Sequence, residues 1–293
     1  MMAVASRALS KVAVMLEMIK FEHTVFALPF ALTSAVLADG LSLRVLGWIL
    51  VAMVGARSAA MAFNRLVDLE YDRLNPRTAS RALPTGVLSA AEVWAFTAVA
   101  AGIFVLAAWM LNPLAFALSP VALLVIFGYS YTKRFTTLSH LVLGLALGIA
   151  PTGAWIAVTG RIDLAPIILS AAVVFWTAGF DIIYALQDLE FDSRLGLFSI
   201  PSALGPRKGL AISRLFHALS ALLLLAFGIV LGLGAVYYAG VAFAAVLLAY
   251  EQNLVRPDDF SKVNVAFFNA NGLVSAGYFL FALADLILRR ALI

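Results

Sequence analysis

Val51 to Asp72 reads VAMVGARSAAMAFNRLVDLEYD, an apolar run with one arginine inside it that ends in Asn64, Asp68 and Asp72. Those three lie at i, i+4 and i+8, so on a helix they form one polar stripe continuing from an apolar cylinder. The pattern returns at Asp181 to Asp192, DIIYALQDLEFD, where Asp181, Asp188 and Asp192 are spaced by seven and then four. Glu70 and Glu190 each follow an aspartate by two residues, about 200° around a helix. They are expected to face elsewhere.

The remaining sequence says what kind of cylinder this is. The chain has 293 residues, 63% hydrophobic and 12% charged, with a mean hydropathy of +1.01. A soluble domain carries about 25% charged residues, so an integral membrane protein is expected. Nine apolar runs appear, at 21–39, 44–64, 91–111, 113–131, 137–159, 164–186, 210–232, 233–251 and 265–288. Each approaches the roughly 20 residues that a helix needs to cross a bilayer. Long unbroken runs rich in Leu and Ala predict helices rather than strands. The expected fold class is all-α: a polytopic membrane helical bundle of nine transmembrane helices, one domain over residues 1–293. Residues 1–20, mildly basic and amphipathic, are expected to form a cytoplasmic surface helix.

Fifteen of the 20 Lys and Arg residues fall on the side of the N-terminus and of the loops 65–90, 132–136, 187–209 and 252–264, with Arg214 at a span edge included. Arg44, Arg161, Arg289 and Arg290 fall on the other side, and Arg57 lies inside a span. The positive-inside rule then puts the N-terminus and both acidic stretches in the cytoplasm. A pI near 9.5 could suit nucleic acid. The basic residues flank apolar spans, however, which marks topology and lipid headgroups, so membrane lipid and no nucleic acid is expected as partner. The lack of cysteine excludes disulfide, thiol and Cys-ligated metal chemistry.

Carboxylates stacked on one helix face repel one another, so helix stability does not explain them. They become favourable when cations lie between them. Oxygen ligands of this kind suit Mg²⁺, which bridges one or two carboxylates to substrate phosphates. The two stripes, Asn64, Asp68 and Asp72 on one side and Asp181, Asp188 and Asp192 on the other, are expected to hold a metal–diphosphate cluster between them. Arg77 and Arg81 lie in the run NPRTASRALPTG from Asn75 to Gly86, Lys133 follows Tyr131, and Arg194 follows the second stripe. These cations are candidates for diphosphate contact, whereas Arg207 and Lys208 are read as topology determinants. An arginine inside a membrane span costs about 2.5 kcal/mol or more, which makes Arg57 a functional candidate by default. It is expected to meet an anionic substrate group such as an aromatic carboxylate; the alternative is an ion pair with Asp181. His23, Tyr131 and Tyr184 complete the candidate substrate contacts, with Asn64 serving both substrate and metal. His140 and His217 lack partners at metal spacing and are read as structural.

At these residues the chain resembles the UbiA superfamily of intramembrane prenyltransferases. The matching pattern is N-x3-D-x3-D (Asn64, Asp68, Asp72), R-T-x2-R-x-L-P-x-G (Arg77 to Gly86), Y-x-K (Tyr131, Lys133) and D-x6-D-x3-D (Asp181, Asp188, Asp192). The resemblance implies a helical bundle around a central cavity open sideways to lipid. It implies Mg²⁺ held by Asn64, Asp68, Asp72, Asp188 and Asp192 of the two Asp-rich motifs, a polyprenyl diphosphate donor, and a phenolic aromatic acid acceptor near Arg57, with Asp68, Asp181 and Asp188 as candidate catalytic residues. One departure is Arg81-Ala-Leu-Pro84 where the family commonly has R-P-L-P, a change expected to alter loop shape alone. The stretches IKFEHTVFALPFAL, NRLVDLEYDRLNPRTASR and DIIYALQDLEFD look like those of bacterial enzymes acting on 4-hydroxybenzoate for ubiquinone. Similar relatives act on 1,4-dihydroxy-6-naphthoate for menaquinone, and the sequence does not separate the two. The implied location is the bacterial inner membrane, with the site facing the cytoplasm.

Other readings remain open at this point. A haem- or chlorin-prenylating member of the same superfamily would carry similar motifs. A secondary transporter would place its charges near the bilayer midplane, often among inverted repeats; here they gather at span ends with the spacing of a parallel repeat. A CDP-alcohol phosphotransferase would need D-G-x2-A-R-x8-G-x3-D-x3-D, which is absent.

Overall fold

The computed structural model describes residue 11 and residues 13–19 and 26–291. Its helices are α1 (Leu28–Leu37), α2 (Leu43–Val67), α3 (Leu69–Leu74), α4 (Ala90–Leu111), α5 (Pro113–Thr132), α6 (Ser139–Thr159) and α7 (Leu164–Ala185). There follow α8 (Leu189–Leu195), α9 (Ile200–Leu204), α10 (Pro206–Val230), α11 (Ala235–Leu254), α12 (Val263–Val265) and α13 (Asn271–Ala291). A 3₁₀ turn at Leu186–Asp188 joins α7 to α8, and a π turn at Ala266–Ala270 joins α12 to α13. No named strand occurs among the described residues.

Eight helical stretches of the described residues are long and apolar enough to cross a membrane. Of the nine expected spans, the first (21–39) lies partly outside the described residues. There α1 has ten residues, about 15 Å at 1.5 Å per residue, half of a bilayer core. Pro29 sits in the first turn of α1, where a missing N–H is tolerated. Residues 20–25, with His23, lie outside the described residues. Of the expected surface helix, residues 13–18 are helical, and Met15, Met18 and Ile19 pack on Ala62, Leu83, Leu88 and Val93.

Neighbouring helices pack in the order α2, α4, α5, α6, α7, α10, α11 and α13, and α1 bridges α13 to α6. Small residues set the closest crossing. A Cβ on Gly144 of α6 would stand 2.4 Å from the Val174 carbonyl of α7, so only glycine lets these backbones touch. The main apolar core joins α1, α7, α10, α11 and α13 through Phe30, Trp176, Phe227, Tyr237 and Tyr278. On the other side, the ring leaves a cavity of about 860 Å³ at the end of the bundle where α2 and α7 run into their acidic stretches.

Candidate active site

Both acidic stretches interrupt their helices. The α2 helix stops on Asp68 (φ −90°, ψ 6°) and restarts as α3, and α7 passes through the 3₁₀ turn to Asp188 (φ −103°, ψ 9°) and restarts as α8. The expected continuous stripes are therefore stripes with a step in them. The first keeps its alignment: the Asp72 N–H donates to the Asp68 carbonyl at 2.7 Å, and Asn64 Nδ2 donates to Asp68 Oδ2 at 2.8 Å. In the second stretch, Gly196 closes α8 at φ 67°, a region glycine adopts without penalty. The chain then turns so that the Phe198 N–H donates to the Lys133 carbonyl at 2.7 Å. That bond ties the second stretch to the end of α5.

Asn64, Asp68, Asp72, Arg77, Arg81, Lys133, Asp181, Tyr184, Asp188, Asp192 and Arg57 all line the one cavity. Arg77 grips Asp188 with two nitrogens, Nε to Oδ1 at 3.0 Å and Nη2 to Oδ2 at 2.5 Å. Its Nη1 donates to the Tyr184 hydroxyl at 3.2 Å. Asn75 serves as the bracket: its Oδ1 accepts the Arg77 backbone N–H and its Nδ2 donates to Asp188 Oδ1, both at 3.0 Å. Arg81 Nη1 reaches both oxygens of Asp72 at 2.8 Å. Lys133 Nζ stands 3.9 Å from Asp192 Oδ2.

The charges explain one another. Burial, and next the neighbouring Asp72 carboxylate, push the half-buried Asp68 carboxyl up to about 6, against the pull of Lys133, Arg65 and the Asn64 hydrogen bond. Burial works against the Lys133 ammonium, yet Asp192, Asp181, Asp188 and Asp68 together hold it above its ordinary value. Glu70 and Glu190 are exposed, as the helical projection predicts.

Two placements depart from the sequence reading, and a third point removes one of its alternatives. Tyr131 is exposed and leaves the cavity face, meeting Phe63 and the Arg134 guanidinium instead. Arg194 is also exposed and does not line the cavity. Both stand two residues from a cavity-lining neighbour, Tyr129 or Asp192, and so on the opposite side of the helix. Third, the alternative pairing of Arg57 with Asp181 does not form. Arg57 lines the cavity with Nε buried and without a hydrogen-bond partner, while Asp181 Oδ2 lies 2.7 Å from His140 Nδ1.

That last contact corrects the reading of His140 as a merely structural residue. Its Nε2 accepts the Ile200 N–H at 3.2 Å, so the neutral ring carries its proton on Nδ1 and donates it to Asp181. His140 is fully buried, and through Asp181 it reaches the cavity. Nothing in the sequence spacing joins the two, since they sit on different helices. Arg65 and Asn75 were also missed as cavity residues. Arg65 did not carry the signal of Arg57, because the expected span stops at residue 64 and leaves it in the loop, whereas α2 runs on to Val67 and buries it.

Among the described residues no three His, Cys, Asp or Glu side chains gather tightly enough to hold a metal ion. The cavity does offer an all-oxygen donor set in Asn64, Asp68, Asp72, Asp188 and Asp192, and Asp192 Oδ2 is buried with no hydrogen-bond partner. Hard oxygen donors beside a crowded, partly neutralised carboxylate pair fit a cation such as Mg²⁺.

The fold and this cavity define the class, a polytopic all-helical integral membrane protein with a charged site at one end of its bundle. The chain belongs to the UbiA prenyltransferase family, which matches residues 27–273, and it is a prenyltransferase. It is 36% identical over 226 residues to the 4-hydroxybenzoate octaprenyltransferase of Aeromonas salmonicida, spanning 76% of this chain and 78% of that one. It is 36% identical over 236 residues to the protein of that name from Vibrio cholerae, spanning 80% and 82%. The apo structure of a UbiA homologue from Aeropyrum pernix matches with a TM-score of 0.80 at 36% identity, over 92% of this chain and 98% of that one. A UbiA homologue from Archaeoglobus fulgidus bound to GPP and Mg²⁺ matches with a TM-score of 0.72 at 19% identity, over 94% and 99%. At that identity the likeness concerns the fold alone.

Proposed function

We propose that this prenyltransferase moves a polyprenyl group from a polyprenyl diphosphate to a phenolic aromatic acid, 4-hydroxybenzoate or 1,4-dihydroxy-6-naphthoate. The observation that carries this reading is the gathering of both acidic stretches, Arg77, Arg81, Lys133 and the unpartnered Arg57 on one cavity. The names of the relatives support 4-hydroxybenzoate, and the GPP and Mg²⁺ of the Archaeoglobus fulgidus structure support the donor and the cation.

Asn64, Asp68, Asp72, Asp188 and Asp192 would hold Mg²⁺. The bound cation would supply electrostatic stabilisation of charge on the leaving diphosphate. Arg77, Arg81 and Lys133 add their own charge there, exchanging aspartate partners for diphosphate oxygens. The allylic C–O bond breaks with its electron pair going to the diphosphate, and a C–C bond forms at the ring carbon ortho to the phenol hydroxyl. The proton displaced from that carbon passes to Asp181, which His140 holds in place. Arg57 binds the acceptor carboxylate. The chemistry proceeds in the inner membrane, at the cytoplasmic end of the bundle.

The test is to incubate the purified chain with Mg²⁺, geranyl diphosphate and a panel of phenolic acids, and to identify products by mass. Prenylated 4-hydroxybenzoate or dihydroxynaphthoate is expected. Prenylation confined to a macrocycle, or none at all, defeats the reading.

A further inference from the structure

A polar pair with no place in that scheme lies behind the cavity wall. Glu251 of α11 and Asn271 at the start of α13 are fully buried, and neither lines the cavity. Glu251 Oε1 accepts from Asn271 Nδ2 at 3.0 Å. The same Asn271 amide reaches the carbonyls of Ala266 at 3.3 Å and Phe267 at 3.1 Å. Those two residues belong to the π turn Ala266–Ala270. A π turn widens the helix, occurs rarely and is common at functional sites. An ionisable side chain buried within a membrane bundle is likewise costly to keep without a role.

The turn delivers Phe267 to the cavity. Its ring centroid lies 4.3 Å from that of Tyr184, 5.3 Å from Phe180, 5.5 Å from Phe26 and 4.8 Å from Phe268. Tyr184 in turn accepts from Arg77, the arginine that grips Asp188. A continuous chain of contacts therefore runs from Glu251 through Asn271 and Phe267 to the charged end of the cavity.

We propose that Glu251 and Asn271 are positioning residues: by pinning the π turn they set Phe267 as the wall that keeps water from the allylic carbon during transfer. This inference rests on the prenyl-transfer reading above. Without the wall, once the allylic C–O bond breaks and the diphosphate leaves with the electron pair, water attacks that carbon. A water C–O bond forms, a proton passes to solvent, and the product is the prenyl alcohol. The pair thus controls how the donor partitions between acceptor and water. Aromatic faces suit this role because they exclude water and favour a nearby positive charge.

The experiment measures prenyl alcohol against prenylated acid, per enzyme, with the full chain, Mg²⁺, geranyl diphosphate and 4-hydroxybenzoate. Glu251→Gln keeps the Oε1 acceptor and is expected to keep the wild-type ratio. Glu251→Leu and Phe267→Leu are expected to raise the alcohol-to-product ratio about tenfold, the effect of about 1.4 kcal/mol on the partition. A merely structural role for Glu251 would lower the yield of folded protein and leave the ratio alone. An unchanged ratio in folded Glu251→Leu, or in Phe267→Leu, overturns the inference, as does a Glu251→Gln ratio as high as that of Glu251→Leu. Should Glu251→Leu not fold, Phe267→Leu decides. A wild-type chain that prenylates no acid defeats the underlying function, a result distinct from an active enzyme whose ratio does not move.

Discussion

In each acidic stretch a long apolar helix leads, directly at Asp68 and through a 3₁₀ turn at Asp188, to an aspartate with ψ near zero, and a helix of six or seven residues follows. Each ends with an aspartate buried toward the cavity, Asp72 or Asp192, and turns a glutamate outward. The surroundings differ. Asp72 takes its guanidinium from Arg81 in the loop that follows it, while Asp188 takes Arg77 from that same loop, 111 residues away in sequence. Asp192 looks to Lys133 at the end of α5. The basic residue of the second stretch itself, Arg194, points away. The repeat is thus one of backbone and carboxylates, and the cations come almost wholly from the first half of the chain. Two copies of an acidic device have been joined by one set of counter-charges.

That asymmetry can be broken experimentally. The largest effect is expected from the aspartates themselves. Asp68→Ala and Asp188→Ala should each cut diphosphate release by roughly 10³-fold, and the double variant should be little worse, as for groups acting as a unit. Losses that multiply would mean two independent sites. Next comes the shared loop. Arg77→Lys removes a two-nitrogen grip that lysine cannot copy, and should lower kcat/KM by about 10²-fold, the larger end of losing a charged hydrogen-bonded contact. Arg81→Lys, confined to the first stretch, should do less; the reverse order would refute the bridging role of Arg77. Arg57→Ala should raise KM for the aromatic acid by about tenfold and leave KM for the donor unchanged, as steady-state kinetics in each substrate would show. Smallest of all, Glu70→Ala and Glu190→Ala should stay within about twofold of wild type, as expected of exposed sites away from the chemistry.

How far the sequence reached is visible in the same residues. Hydropathy located the long helices, because twenty apolar residues in a row have few other uses. The i, i+4 spacing located Asn64, Asp68 and Asp72, and the i+2 argument turned Glu70 and Glu190 outward. The same i+2 argument applies to Tyr131 after Tyr129 and to Arg194 after Asp192. Motif membership placed Tyr131 among the expected contacts, and nearness to the second stripe placed Arg194 there, each against its helical phase. The steps at Asp68 and Asp188 were not legible, since no Gly or Pro marks them. The pairings of Arg77 with Asp188 and of His140 with Asp181 depend on helices meeting in space, which local spacing does not encode. The bounds of α1 at Leu28 and Leu37 were not legible either, because hydropathy does not mark helix ends.

The central claim is that both acidic stretches act as one cation-dependent diphosphate clamp. Its most direct test is the Mg²⁺ dependence of diphosphate release from geranyl diphosphate in the presence of 4-hydroxybenzoate, for wild type, Asp68→Asn and Asp188→Asn. The account predicts saturable activation in the wild type, complete loss on chelation, and loss of activation in either variant. Turnover that survives chelation, or either variant keeping the wild-type Mg²⁺ response, would contradict it.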